Sequence, residues 1–253
     1  MLLMLLTLAG CTGGAAGTAG RGVVPERTVT DVLAGQRVRL DPPTSGRTVG
    51  VALWFHGQTG DVDSYMGSAW LDAIRARGWA VASSDLHGNA WGSPAAVRDA
   101  RELARWAARQ ARAEVRLLVA GSMGGATSLN ALLDGAVSAP CWYGTEVVVD
   151  LGAVSAVPGA TAELLDVYGG PPPARSNPAR RLAGLPASMR WFVVTSPDDT
   201  WVPAAAHGDV LVAALRAQGA SVGTAVASGE HGDLSYFRPE DLVAFADRCA
   251  GDR

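Results

Sequence analysis

Unbroken apolar runs alternate along this chain with longer stretches of helical spacing, and Gly, Pro, Asp and Asn punctuate the joins. Residues 49–55 (VGVALWF), 79–84 (WAVASS), 115–120 (VRLLVA), 147–149 (VVV) and 190–195 (RWFVVT) read as strands buried on both faces, the pattern expected of a parallel sheet. Residues 29–40 carry alternating apolar positions and stop at Asp41-Pro42-Pro43, which predicts an early edge strand, and residues 221–227 predict another short strand. Helical spacing marks residues 64–77, with Trp70, Leu71 and Ile74 on one side and Gly78 as the stop. It recurs over 94–112, which opens on Pro94, and over 124–133, 203–218 and 239–249. Strands alternating with helices call for an α/β fold, a mostly parallel sheet with helices on both faces. Residues 152–186 break the pattern, and Gly169-Gly170-Pro171-Pro172-Pro173 reads as a surface loop, so a cap over the sheet edge is expected to be little or none.

Length and composition add limits. A chain of 253 residues with 48% hydrophobic and 18% charged residues suits one α/β domain, here residues 28–253. The net charge of -3, with Lys and Arg scattered over amphipathic segments, argues against a nucleic-acid partner. The first ten residues are apolar, too short to span a bilayer, and end in small residues, as a cleaved leader does. Leu8-Ala9-Gly10-Cys11 resembles the lipobox of bacterial lipoproteins, which implies a signal peptide over residues 1–10, lipidation of Cys11 and an extracytoplasmic, membrane-anchored protein. No Lys or Arg precedes the apolar run, where such leaders are usually positive. The small-residue stretch up to residue 27 has the composition of a tether. Cys141 and Cys249 then remain, either as a disulfide pair or as two buried thiols.

The chemistry centres on Ala120-Gly121-Ser122-Met123-Gly124, where an apolar run turns into a helical pattern. Serine attacks a carbonyl only when it is exposed beside a base and near donors for the oxyanion, and a sharp strand-to-helix turn of small residues supplies that exposure. The pattern matches G-x-S-x-G except that alanine replaces the first glycine. Two loops at the ends of later strands carry the other groups such a serine needs: Asp198 and Asp199 after residues 190–195, and His231 after residues 221–227. The order serine, acid, histidine, together with His56-Gly57-Gln58-Thr59-Gly60, Asp199-Thr200-Trp201-Val202-Pro203 and Gly229-Glu230-His231, resembles the α/β-hydrolases from residue 49 to the C-terminus. The segment from Ser176-Asn177-Pro178 to Pro186 is similar to one in compact esterases and prolyl-oligopeptidase-like members.

That resemblance implies Ser122 as nucleophile, His231 as base and Asp199 as the orienting acid, with Asp198 as alternate. It implies an oxyanion hole made by the backbone amides of Met123 and Gln58, with Gly57 allowing close approach and His56 structural. His87 and His207 are rival bases. Trp91, Trp142 and Trp201 fall in predicted loops, as aromatic walls or as packing. The four histidines lack a metal-ligand spacing such as H-E-x-x-H, so neither a metal nor a cofactor is expected. The implied activity is hydrolysis of a small-molecule carboxylic ester through an acyl-enzyme. A peptidase or amidase, and a catalytically silent hydrolase fold used for binding at the cell surface, stay open.

Overall fold

The computed structural model describes residues 27–44 and 46–251. The expected leader, Cys11 and the tether up to residue 26 lie outside the described residues. The strands are β1 Val29–Leu33, β2 Gln36–Asp41, β3 Gly50–Phe55, β4 Trp79–Ser84, β5 Val115–Gly121, β6 Cys141–Thr145, β7 Arg190–Thr195 and β8 Ser221–Val226. They form one sheet in the order β1-β2-β4-β3-β5-β6-β7-β8. β1 and β2 pair antiparallel and β2 joins β4 antiparallel, whereas every pair from β4 to β8 is parallel.

The apolar runs are unbroken because both faces are covered. Along β3, Val51, Leu53 and Phe55 enter a core shared with α2 (Pro94–Ala111), α3 (Met123–Leu133) and α5 (Gly208–Ala217). The alternate residues Ala52 and Trp54 enter the opposite core, with α1 (Ala69–Arg75) and α6 (Pro239–Cys249). The chain runs outward from β3 to β4 and then returns to place β5 on the other side of β3. The carboxyl ends of β3 and β5 therefore flank a switch point, where open α/β sheets leave a crevice for ligands.

Several expectations are corrected. Residues 29–40 form a hairpin, not one strand, because Ala34 and Gly35 turn with φ of 49° and 85°, the pair of positive values a two-residue hairpin turn requires. Residues 147–149 are not a strand. The strand is Cys141–Thr145, and it ends at Glu146, whose φ is 48°. Val147, Val148 and Val149 are apolar because they pack beneath the sheet edge, with the Val148 amide donating to the Ser122 carbonyl at 2.9 Å. The helix within 64–77 is shorter, starting after Ser68, whose Oγ accepts from the Leu71 amide. The helix within 203–218 begins at Gly208, after a 3₁₀ turn over Ala204–Ala206. The irregular region contains α4 (Ala160–Tyr168) and short 3₁₀ turns, a small excursion.

Cys141 and Cys249 form a disulfide across 108 residues, tying the start of β6 to the end of α6 at the sheet edge remote from the crevice. In the loop-entropy account a cross-link over about 100 residues restricts the unfolded chain by roughly 4–5 kcal/mol. No helix among the described residues is long and apolar enough to cross a membrane.

Candidate active site

β5 ends at Gly121, α3 starts at Met123, and Ser122 between them takes φ 50° and ψ −123°. For a residue with a side chain that backbone costs on the order of 1–3 kcal/mol and persists only where its surroundings enforce it. One enforcing contact is at Gly124, where a Cβ would lie 2.1 Å from the Phe55 carbonyl oxygen. Only glycine lets α3 press so closely on the end of β3. The departure at residue 120 has a packing account. Ala120 pairs in register with Gly144, whose missing side chain leaves that face to the Trp142 ring, and the alanine methyl joins the same buried cluster.

His231, in the loop after β8, places Nε2 2.8 Å from Ser122 Oγ. Its Nδ1 lies 2.8 Å from Asp199 Oδ2. Asp199, after β7, is 3% exposed and its carboxylate is fully engaged. Oδ1 accepts from the Trp201 and Val202 amides at 3.0 and 2.8 Å, and Oδ2 also accepts from the Tyr236 hydroxyl at 2.9 Å. Asp198 points elsewhere and accepts from the Gly229 amide at 3.4 Å. Between the two acids that the sequence offers, geometry selects Asp199. Glu230 ties the two loops together by accepting from the Thr200 amide and hydroxyl.

Glu146 was not singled out by the sequence. It sits just past β6, 8% exposed, with Oε2 accepting from the Gly232 amide at 2.6 Å and 3.7 Å from His231 Nδ1. Burial pushes its carboxyl up to about 7, against the attraction of His231 and the Gly232 hydrogen bond. Burial by itself raises Asp199 too, yet the hydrogen bonds from His231 and Val202 hold that carboxyl below the usual range. For His231 burial favours the neutral ring, but the Asp199 hydrogen bond and the charge of Glu146 outweigh it and raise the imidazole above its ordinary value. The ligand atoms of Glu146, Asp199 and His231 lie within 4.8 Å of one another, close enough to chelate a cation. The oxygens of Asp199 already hold four donors between them, one of them the ring nitrogen of His231, so this carboxylate is committed to hydrogen bonding within the cluster.

The linkage of Glu146 has a definite sign. A carboxyl raised from 4.5 to about 7 binds its proton more tightly in the folded chain, so stability falls as pH rises through that interval, by up to about 3 kcal/mol. Glu146→Gln keeps an oxygen for the Gly232 amide and carries no charge. Thermal unfolding should show a higher midpoint than wild type at pH 8 and a much smaller difference at pH 4.

The remaining candidates separate cleanly. A Cβ on Gly57 would lie 3.2 Å from the Ser122 Cβ, so the loop after β3 packs directly against the serine. Gln58 and Ser122 line one cavity of about 480 Å³, with Tyr65, Trp201, Phe237 and Val157 among its apolar walls. Met123 opens α3, so its amide has no acceptor within the helix. His56 is buried, its ring nitrogens 2.8 and 3.0 Å from the Gly57 and Asp85 carbonyl oxygens. His87 pairs with Asp99 at 2.6 Å and is not among the residues around the cavity. His207 is fully buried, where its Nδ1 accepts from the Val149 and Asp150 amides at 3.1 and 3.2 Å. Trp91 and Trp142 are fully buried and Trp142 lies within β6; Trp201 lines the cavity, 5.6 Å from the His231 ring. Tyr236, five residues past His231, completes the acid's partners without any signature in the sequence around it.

No protein-family model matches the chain, and no curated protein matches it significantly in sequence. Solved structures do match. A lipase/esterase from Lactobacillus plantarum is 13% identical over 89% of this chain and 99% of its own, with a TM-score of 0.67. The esterase domain of a Rhodothermus marinus protein is 20% identical over 89% of this chain and 99% of that one, with a TM-score of 0.64. Thermogutta terrifontis esterase 2, in a form phosphonylated by sarin, is 18% identical over 90% and 93%, with a TM-score of 0.63. Identities this low speak for architecture, and with the strand order, the strained serine turn and the small excursion after β6 they establish that the chain has the α/β-hydrolase fold.

Proposed function

We propose that this chain is a serine hydrolase that cleaves carboxylic esters through an acyl-enzyme. The observation that carries the reading is the continuous hydrogen-bonded line Asp199–His231–Ser122, with 2.8 Å at both joints. Ser122 Oγ attacks the ester carbonyl while His231 Nε2 takes its proton. Asp199 keeps the Nδ1 proton in place and stabilises the imidazolium that forms. The carbonyl oxygen, now negative, receives hydrogen bonds from the amides of Met123 and Gln58. His231 then returns the proton to the leaving alcohol. Water, activated by the same ring, attacks the acyl carbonyl and regenerates Ser122. The apolar walls of the cavity suit a small acyl or aryl group. Support comes also from the solved neighbours described as esterases, one of which takes an organophosphonate.

A fluorophosphonate should label the folded chain at Ser122, and Ser122→Ala should take no label. Equal labelling of both would end the assignment. A panel of p-nitrophenyl esters and chromogenic peptides should give turnover with the esters; turnover with peptides alone would make the chain a peptidase.

Glu146 sets an expected pH dependence. The base works only when neutral, so the acid limb of kcat/KM follows the raised His231 and lies above pH 6.5. Glu146→Gln removes one of the charges that raise His231, so the limb should move to lower pH. A limb that stays put or moves upward would contradict the coupling.

We further propose export and lipid anchoring at Cys11, on the strength of Leu8-Ala9-Gly10-Cys11; a disulfide between Cys141 and Cys249 suits an oxidising compartment. Cys11→Ser should shift the protein expressed in a bacterial host from the membrane fraction to the soluble one, and unchanged partitioning would refute the anchor.

A further inference from the structure

Past the end of β3, the loop that bears Gln58 is held from the side by a single carboxylate. Glu163, in the first turn of α4, accepts from Gln58 Nε2 with both oxygens at 3.0 Å, from Asn89 Nδ2 at 2.7 Å and from Trp91 Nε1 at 2.8 Å. Gln58 Nε2 also donates to the Pro158 carbonyl at 2.8 Å, which fixes the side chain against the segment leading into α4. Asn89 uses its other end on the same loop, since its Oδ1 accepts from the Thr59 amide at 2.6 Å. Thr59 needs that hold. Its φ is 61°, a conformation that a β-branched residue adopts only when its surroundings enforce it. Tyr168, at the far end of α4, donates its hydroxyl to the Trp91 carbonyl at 3.0 Å, so both ends of the helix grip the residues around Trp91.

We propose that Glu163 is a positioning residue for ester hydrolysis, clamping the loop that presents the Gln58 amide to the oxyanion. The inference rests on the serine-hydrolase reading and adds to it a function for the excursion after β6. The chemistry requires a carboxylate. Three side chains converge on it as donors, and an ionised carboxyl offers two acceptor oxygens and no donor. With its side chain engaged toward α4, Gln58 has a backbone N–H that donates to no group among the described residues. Oxyanion donors work by being in place before charge develops, and a displacement of about 1 Å costs on the order of 10²-fold. Glu163 does not touch the nucleophile and does not itself line the cavity, reaching it only through Gln58, so its loss should act on kcat.

The test uses the full chain with p-nitrophenyl acetate. Glu163→Gln turns an amide toward the donors, and Asn89→Ala removes the second tie to the loop. Each is expected to lower kcat by about 10- to 100-fold while KM stays within roughly threefold. Because both act through one loop, the double variant should lose little more than the worse single one. Wild-type kcat in Glu163→Gln, or losses that multiply in the double variant, would overturn the clamp. If Glu163→Gln does not fold, Asn89→Ala decides by itself, and an unchanged kcat there overturns it. A wild-type chain that neither turns over the ester nor takes a fluorophosphonate sinks the hydrolase reading itself, whereas an active wild type with an indifferent Glu163→Gln sinks the clamp alone.

Discussion

His231→Ala should lower kcat for a p-nitrophenyl ester by on the order of 10⁵- to 10⁶-fold, and Ser122→Ala by a similar factor. The two losses should not multiply, because the hydroxyl and the ring act in one proton transfer across a 2.8 Å contact. Without the imidazole, Ser122 must attack with its proton unclaimed. His87 and His207 offer no substitute, since one is paired with Asp99 and the other is buried with Nδ1 taken by two amides. Stopped-flow burst kinetics provide the measurement. A burst of p-nitrophenol that survives in His231→Ala at near wild-type rate would remove His231 from the chemistry. Folding is expected to survive the change, and circular dichroism checks it.

Asp199→Asn should lower kcat by about 10³- to 10⁴-fold with little change in KM. The physical reason is tautomeric. The amide oxygen of an asparagine is claimed by the Trp201 and Val202 amides, so its NH₂ group faces His231 Nδ1. That arrangement favours the ring with its proton on Nε2, which cannot accept from Ser122. Glu146 remains 3.7 Å from Nδ1 and limits the loss by supplying a second negative charge to the imidazolium. Adding Glu146→Gln to Asp199→Asn should therefore cost roughly another tenfold. Measurement at pH 8.5 keeps Glu146, which titrates at about 7, charged in the single variant. If Asp199→Asn retains wild-type kcat while Asp198→Asn loses it, the assignment of the acid is reversed.

Much of this was legible in the sequence, because the signals are local. Strands buried on both faces appear as apolar runs, and Trp79–Ser84 and Arg190–Thr195 match their runs to the residue. The runs failed where composition and burial part company. Cys-Trp-Tyr-Gly-Thr is a central strand without an aliphatic residue, and the three valines after it are buried outside the sheet. Ser122 and His231 could be placed by motif and order, since the fold brings the carboxyl ends of parallel strands to one edge whatever lies between them.

Asp199 against Asp198 was different. Both stand after the same strand, and only the path of the loop turns one of them to the ring and the other to the Gly229 amide. Glu146, Tyr236 and Glu163 carry no motif. Each acquires its part from a partner distant in the chain, 86 residues off for Glu146 and Gly232 and 105 for Glu163 and Gln58. By itself, then, the sequence determined the alternation of strands and helices, the serine turn and the order of its partners, all of them properties of neighbouring residues and of strand ends. The tertiary structure brought Asp199, the acid favoured by its spacing to Val202-Pro203, rather than the alternate Asp198 to the ring, and it alone decided which second carboxylate stands beside it and what holds the Gln58 loop, because burial and hydrogen-bond geometry exist only once distant loops pack together.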